Sequence, residues 1–250
     1  MAHLKYAFLL LFSLSLLTEA SEVSPASVGV IECLDPALDR LVAPEAQIEK
    51  VAEGFRWAEG PVWIDGSVIF SDVLANLAYR WKPGIAMPEV FLNPSGLLSP
   101  ASGFIAPGSN GLARDAEGRL LLCQQGERRV ALYENGGFRV LADRFEGMRF
   151  NSPNDLVVRR NGEIYFTDPP YGLEGRDHSA LREIPFDGIY RIATNRTVTL
   201  LTKAIKWCNG IAFSPDEKTL YIGVTEPAFP HILACDVAAD GTLAQPRIFF

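Results

Sequence analysis

The sequence predicts an all-β protein built as a β-propeller, on three observations. Gly, Pro and aromatic residues are plentiful (21 Gly, 17 Pro, 10% aromatic), and helical periodicity is scarce. A strand–turn–strand phrase led by a polar residue recurs four times, with the leaders 51, 44 and 55 residues apart. The distance from leader to turn residue is nearly constant, 7 in the first phrase and 8 in the others. A repeat of about 40–50 residues, with about four strands per unit, is the signature of propeller blades. Four unrelated hairpins in a sandwich would not explain the constant phase.

The first phrase runs from Glu59 through Asp65-Gly66 to Asp72, and the second from Asn110 through Gly118 to Cys123. The third runs from Asn154 through Asn161-Gly162 to Asp168, and the fourth from Asn209 through Glu217 to Gly223. Asn-Gly between apolar runs predicts a two-residue turn with both residues at positive φ. Outer strands are expected at Ala78–Trp81, Val130–Glu134, Phe138–Leu141, Gly188–Ala193, Val198–Leu201 and Ile232–Val237. The closing apolar run Arg247–Phe250 reads as a strand cut short, so the chain is expected to hold about the first four blades of a longer propeller.

Ahead of the repeats, Lys5, the apolar run Tyr6–Leu17 and the small residues around Ala20 predict a cleaved export signal over 1–20. That run is shorter than the ~20 residues a membrane span needs. No stable membrane anchor is expected, and the protein is expected to be periplasmic or secreted. Residues 21–50 read as a polar lead-in with one helical turn near Leu34–Leu41, and 51–250 as the propeller domain.

A net charge of −7 with no basic block excludes a nucleic-acid groove. No G-x-S-x-G elbow, Walker loop or dinucleotide fingerprint is present. The three histidines, His3, His178 and His231, lie in the leader, a polar loop and a strand start, so a Ser-His-Asp triad is not supported. Cys33, Cys123, Cys208 and Cys235 show no C-x-x-C spacing. Cys123 and Cys235 lie in apolar runs and are expected as buried thiols, although an exported chain could form disulfides.

In a propeller, equivalent positions on the innermost strands face one channel. Glu59, Asn110, Asn154 and Asn209 would then form a ring of one carboxylate and several amide oxygens. Hard cations such as Ca²⁺ take such ligands, and the lack of His and Cys argues against a zinc-selective site. Each Asn taken singly is as well explained as a turn-former. Asp72, Asp155 and Asp168 are expected to make blade-to-blade hydrogen bonds.

The phrases AEGPVW (58–63), SNGLARDAEGRLLLC (109–123), RFEGMRFNSPNDLVVRRNGEIYFTDPPYGL (144–173) and CNGIAFSPDEKTLYIG (208–223) resemble the gluconolactonase/senescence marker protein (regucalcin) family, in its bacterial gluconolactonase branch. The resemblance covers about residues 47–250 and implies a six-bladed propeller with one divalent metal in the channel. It implies Glu59, Asn154 and Asn209 as metal ligands and Asn110 as a pocket residue. The catalytic acid/base, an aspartate of a later D-G motif, is expected beyond Phe250, which would leave these 250 residues nearly inactive alone. Gln125 stands where the branch often has His, and Met148 where it often has Lys. Gln125 and Tyr171 are expected to join Asn110 in contacting substrate. The implied reaction is hydrolysis of a small sugar lactone. The cation, Ca²⁺ first with Zn²⁺, Mg²⁺ or Mn²⁺ as alternatives, would polarise the carbonyl and activate water. An organophosphate-type esterase and a non-catalytic metal-binding propeller are the competing readings. Oligomeric state is not legible.

Overall fold

The computed structural model describes residues 28–250, so the expected export signal lies outside the described residues. The chain divides into two compact units, 1–51 and 52–250. In the first, the expected helical turn is a 3-10 helix, Pro36–Arg40, capped by Asp35, whose carboxylate accepts the Ala37 N–H at 2.7 Å.

The second unit holds four four-stranded antiparallel sheets, each in simple sequential order. Blade 1 comprises β1 (Ala58–Ile64), β2 (Ser67–Asp72), β3 (Leu77–Trp81) and β4 (Glu89–Leu92). Blade 2 comprises β5 (Ser109–Arg114), β6 (Leu120–Gln124), β7 (Arg129–Glu134) and β8 (Gly137–Ala142). A short hairpin, β9 (Arg144–Phe145) and β10 (Met148–Arg149), follows. Blade 3 comprises β11 (Leu156–Val158), β12 (Ile164–Asp168), β13 (Gly188–Ile192) and β14 (Val198–Thr202). Blade 4 comprises β15 (Cys208–Phe213), β16 (Thr219–Val224), β17 (His231–Asp236) and β18 (Arg247–Ile248). Every outer strand expected from the sequence is present; β4 and the β9–β10 hairpin were not anticipated.

The hydrophobic pattern explains why the sheets stack. β6 (LLLCQ) and β12 (IYFTD) are buried along their whole length, because each is a middle strand with sheet on both faces. Three apolar clusters fill the gaps between successive blades. Ile69, Leu112 and Leu122 lie between blades 1 and 2. Leu121, Phe150, Phe166 and Tyr190 lie between blades 2 and 3. Tyr165, Ile211, Leu220 and Ile222 lie between blades 3 and 4. The Phe150, Phe166 and Tyr190 rings sit 5.0–5.3 Å apart and are fully buried. Each contributes roughly 1.5–3 kcal/mol by burial. Cys123, Cys208 and Cys235 are buried free thiols, and Cys33 is an exposed one.

The turns account for the one-residue difference in phase. In blade 1, Asp65 (φ 49°) and Gly66 (φ 71°) form a two-residue turn between the paired Ile64 and Ser67. In blade 3 the expected two-residue Asn161-Gly162 turn is not what forms. Gly162 N donates to Arg159 O at 2.9 Å and Arg159 N to Glu163 O at 2.8 Å, and only Gly162 has positive φ. The turn is therefore longer, with Gly162 as the left-handed closing residue. Gly118 closes an equivalent turn in blade 2, and in blade 4 Glu217 (φ 58°) lies in a turn one residue longer, between Ser214 and Thr219.

Candidate functional site

The first strands of the four blades pack against one another in sequence, β1 on β5, β5 on β11 and β11 on β15. Close approach there requires glycine. A side chain at Gly60 would put its Cβ 2.8 Å from the Gly111 Cα and 2.9 Å from the Leu112 nitrogen. One at Gly111 would sit 2.7 Å from the Asp155 Cα and 2.8 Å from the Asn154 carbonyl oxygen. These glycines directly follow the leaders Glu59 and Asn110, which is the physical reason for the repeated polar-residue–Gly pair. A register shift follows immediately in β1 (Glu59/Val62), β5 (Ser109/Leu112) and β15 (Cys208/Ile211). Such bulges bend a strand and re-aim its side chains.

The leader backbones are then fixed by hydroxyls. Ser71 Oγ donates to the Asn110 carbonyl at 2.9 Å, and Thr167 Oγ1 to the Asn209 carbonyl at 2.7 Å. Each bond crosses from one blade to the next. Of the three aspartates expected to bridge blades, only Asp155 does so: its Oδ2 accepts Ile211 N at 3.0 Å. Asp72 instead accepts the N–H groups of Arg56 and Trp57, and Asp168 that of Asn151 at 2.7 Å, all within their own blades. Asp72 and Asp168 end their second strands beside the chain entering the first, so the nearest unpaired N–H groups belong to the same blade. Burial pushes the Asp155 carboxyl up to about 6, with the Glu59 charge adding to the rise and its backbone hydrogen bonds opposing it.

Glu59, Asn154 and Asn209 all line one cavity of about 450 Å³, together with Asn110, Gln125 and Tyr171. The six residues named from the sequence thus share one cavity. Asn154 is 3% exposed, and its Oδ1 has no hydrogen-bond partner among the described residues. Gln125 is fully buried with both amide atoms unpartnered. Leaving such groups unmatched costs about 1–3 kcal/mol each, so a polar ligand entering the cavity would be stabilised by meeting them. Unmatched amide oxygens beside a carboxylate fit a hard cation; histidine and cysteine do not line this cavity.

Tyr171 bridges two blades. Its hydroxyl lies 2.9 Å from Thr225 Oγ1, which in turn donates to Trp207 O at 3.4 Å. Burial pushes the phenol up to about 12, so it stays protonated; with Thr225 donating onward to Trp207, the phenol O–H goes to Thr225 and its oxygen is left to accept. The segment around it is held by the Gly172 N–H, which donates to Ser152 Oγ at 2.8 Å, and by the Ile105 N–H, which donates to the Gly172 carbonyl. Met148 takes no part in the cavity; it packs, half-buried, against the apolar cluster between blades 2 and 3. His178 is exposed, and His231 Nδ1 lies 2.7 Å from Phe229 O, away from the cavity.

Nine lining residues escaped the sequence reading, and three of them bring an indole or a charge. Trp57 and Trp207 each stand two residues before a leader, and each is pinned by its backbone N–H to a carboxylate, Asp72 or Asp187. Trp57 is 58% exposed, and its indole N–H donates to Glu59 Oε1 at 3.1 Å. The third is Arg176, on the loop after Tyr171. The shared offset from the leader could have flagged both tryptophans; the loop gave no such signal.

Comparison with known proteins bears on the fold and the family. The chain is 34% identical over 227 residues to a gluconolactonase of Zymomonas mobilis, covering 88% of this chain and 64% of that protein. It thus spans about two thirds of that relative's length. A lactonase of Staphylococcus aureus is 33% identical over 137 residues, covering 52% of this chain and 38% of its own. The solved structure of a gluconolactonase from Xanthomonas campestris superposes with a TM-score of 0.73 at 31% identity, covering 86% of this chain and 69% of that one. Residues 57–250 match the SMP-30/Gluconolactonase/LRE-like region. The four blades, the leader phrases and these matches together assign the chain to the SMP-30/gluconolactonase/LRE-like family.

Proposed function

We propose that the protein hydrolyses a small sugar lactone in this cavity, with a divalent cation held by Glu59, Asn154 and Asn209. The observation that carries the reading is the convergence of those three oxygen donors with the unmatched amides of Asn154 and Gln125 in one cavity. The gluconolactonase and lactonase relatives support the reaction class. Oxygen-only donors favour Ca²⁺ over Zn²⁺. When bound, such a cation polarises an ester carbonyl and lowers the pKa of a water.

The chain's own groups orient the substrate. Asn110 and Gln125 offer amide donors and acceptors to ring hydroxyls, and Tyr171 offers its phenolic oxygen as an acceptor at the blade 3–4 side. Trp57 and Trp207 supply flat apolar walls against which the C–H face of a sugar ring can lie. Trp57 also holds the Glu59 carboxylate by its indole N–H, fixing one oxygen. Glu59 is the one carboxylate among the lining residues and is committed as a cation ligand. The family resemblance implies an aspartate as the proton acceptor. Positioned acid–base catalysis of this kind contributes about 10²–10⁴-fold.

The test is a substrate panel on the complete protein: sugar lactones and phosphotriesters, each with and without chelator. Cation-dependent opening of lactones in preference to phosphotriesters is expected. Hydrolysis of phosphotriesters alone, or cation binding with no hydrolysis, would replace this reading.

A further inference from the structure

The cavity lining contains one cation, Arg176, and nothing in the proposed reaction uses it. Among the described residues no carboxylate lies within ion-pairing distance of its guanidinium, and no carbonyl accepts from it. The contrast with the other arginine of the same loop is direct. Arg182 is fully committed, to Asp177, to Asp187 at 3.0 Å and to the Ile184 carbonyl at 3.0 Å. Asp177 is further paired with Lys206 at 3.4 Å, and Glu183 with Arg128 at 3.3 Å. The acids that could neutralise Arg176 are thus mostly taken by other cations.

The backbone holds Arg176 in an unusual place. It follows Gly175 (φ 76°) and itself has φ 47°, the left-handed region that an L-residue adopts at a cost. Two hydrogen bonds close the turn on either side, Arg176 N to Leu173 O at 3.1 Å and His178 N to Gly175 O at 2.9 Å. The loop is also tied down, by Glu174 N donating to Gly103 O at 2.8 Å and by the Phe104–Leu173 bridge. Arg176 and Tyr171 line the same cavity. Arg176 is exposed at the cavity lining, so a ligand entering from solvent can meet its guanidinium directly.

We propose that Arg176 reads an anionic substituent on the substrate, so that the lactone taken by this protein carries a carboxylate or a phosphate. The inference rests on the lactonase reading. A guanidinium offers five N–H donors in a planar fork that matches either oxyanion. Because its neighbours leave it unpaired, binding such a group costs no existing ion pair. An uncharged lactone would leave that fork facing water.

The test compares three lactones of matched ring: one with an uncharged hydroxymethyl group, one with a carboxylate in its place, and one with a phosphate ester on it. The full chain and its Arg176→Gln and Arg176→Lys variants are assayed. Wild type is expected to open one of the anionic lactones with a kcat/KM about 10-fold or more above the neutral one, as a charge-assisted contact implies. Arg176→Gln should collapse that ratio toward one, chiefly through KM, with Arg176→Lys intermediate, and added salt should erode it. Which anionic arm responds identifies the group. A wild-type preference for the neutral lactone, or a ratio that survives Arg176→Gln, overturns the inference. Calorimetry with the matching cyclic ethers, which keep ring and substituent but lack the carbonyl, separates the two readings. Arg176-dependent binding of an anionic ether without hydrolysis of any lactone would end the lactonase reading and keep the anion site. Lactone opening without Arg176-dependent charge preference would do the reverse.

Discussion

Replacing Gly111 by alanine probes the packing that aims the site. The added Cβ would lie 2.7 Å from the Asp155 Cα and 2.8 Å from the Asn154 carbonyl oxygen, whereas ordinary contacts begin at 3.4 Å. The Asp155 carboxylate oxygen is closer still, and the blade 3 leader must retreat by about 0.6 Å or more, because the other two obstacles are backbone. That retreat stretches the 2.7 Å bond from Gly111 N to Asn154 O. Overpacking costs about 1–3 kcal/mol, and the weakened hydrogen bond about 1 kcal/mol. A loss of roughly 2–4 kcal/mol is expected in denaturant unfolding. Cation affinity should fall as well, since Asn154 moves with its carbonyl. Gly137→Ala is the control: nothing lies within 4 Å of its Cβ and its φ is not positive, so it should be neutral to within about 0.5 kcal/mol. A Gly111→Ala protein with wild-type unfolding midpoint and wild-type cation affinity would refute the close-packed ring.

Two further outcomes follow from buried polar groups. Thr167→Val removes the hydroxyl that donates to Asn209 O and accepts Asp155 N at 3.2 Å; a loss of about 1–3 kcal/mol with weakened cation binding is expected in thermal unfolding and calorimetry, and unchanged values in both would remove Thr167 as a positioning residue. Asp168 is fully buried, and that burial pushes its carboxyl up to about 7, against backbone hydrogen bonds from Asn151 and Ser152 and the Arg128 charge and with help from Asp187. A raised carboxyl stabilises the fold below the unfolded value of about 4 and loses that contribution as pH rises through about 7. Desolvation of the carboxylate thus caps the change at roughly 4 kcal/mol, at about 1.4 kcal/mol per pH unit. Wild type should lose stability between pH 4 and pH 7 relative to Asp168→Asn, and parallel pH profiles for the two would contradict the assignment.

Much of the blade plan was legible because it rests on short-range chemistry. Apolar alternation and turn residues located the second and third strands of each blade to within a residue or two. What the chain did not disclose came from longer range. β4 is a four-residue strand straight after Pro88, too short for a periodic signal. The Asn161-Gly162 turn took its longer form because Arg159 and Glu163 pair across it. Asp72 and Asp168 looked equivalent to Asp155 along their strands, yet only Asp155 sits at a leader, where the next blade's backbone comes near. The site residues were legible as a set because each leader holds the same place in its repeat. Arg176 was not, since its position depends on how a polar loop folds over the cavity.

The most direct test of the account is a cation titration of lactone hydrolysis in the complete protein, wild type against Glu59→Gln. The account predicts that chelation abolishes ring opening in wild type and that Ca²⁺ restores it with saturation. Glu59→Gln should stay folded and remain inactive at any cation load that saturates wild type. Full hydrolysis in the presence of chelator, or by Glu59→Gln, would contradict a cation held by Glu59, Asn154 and Asn209.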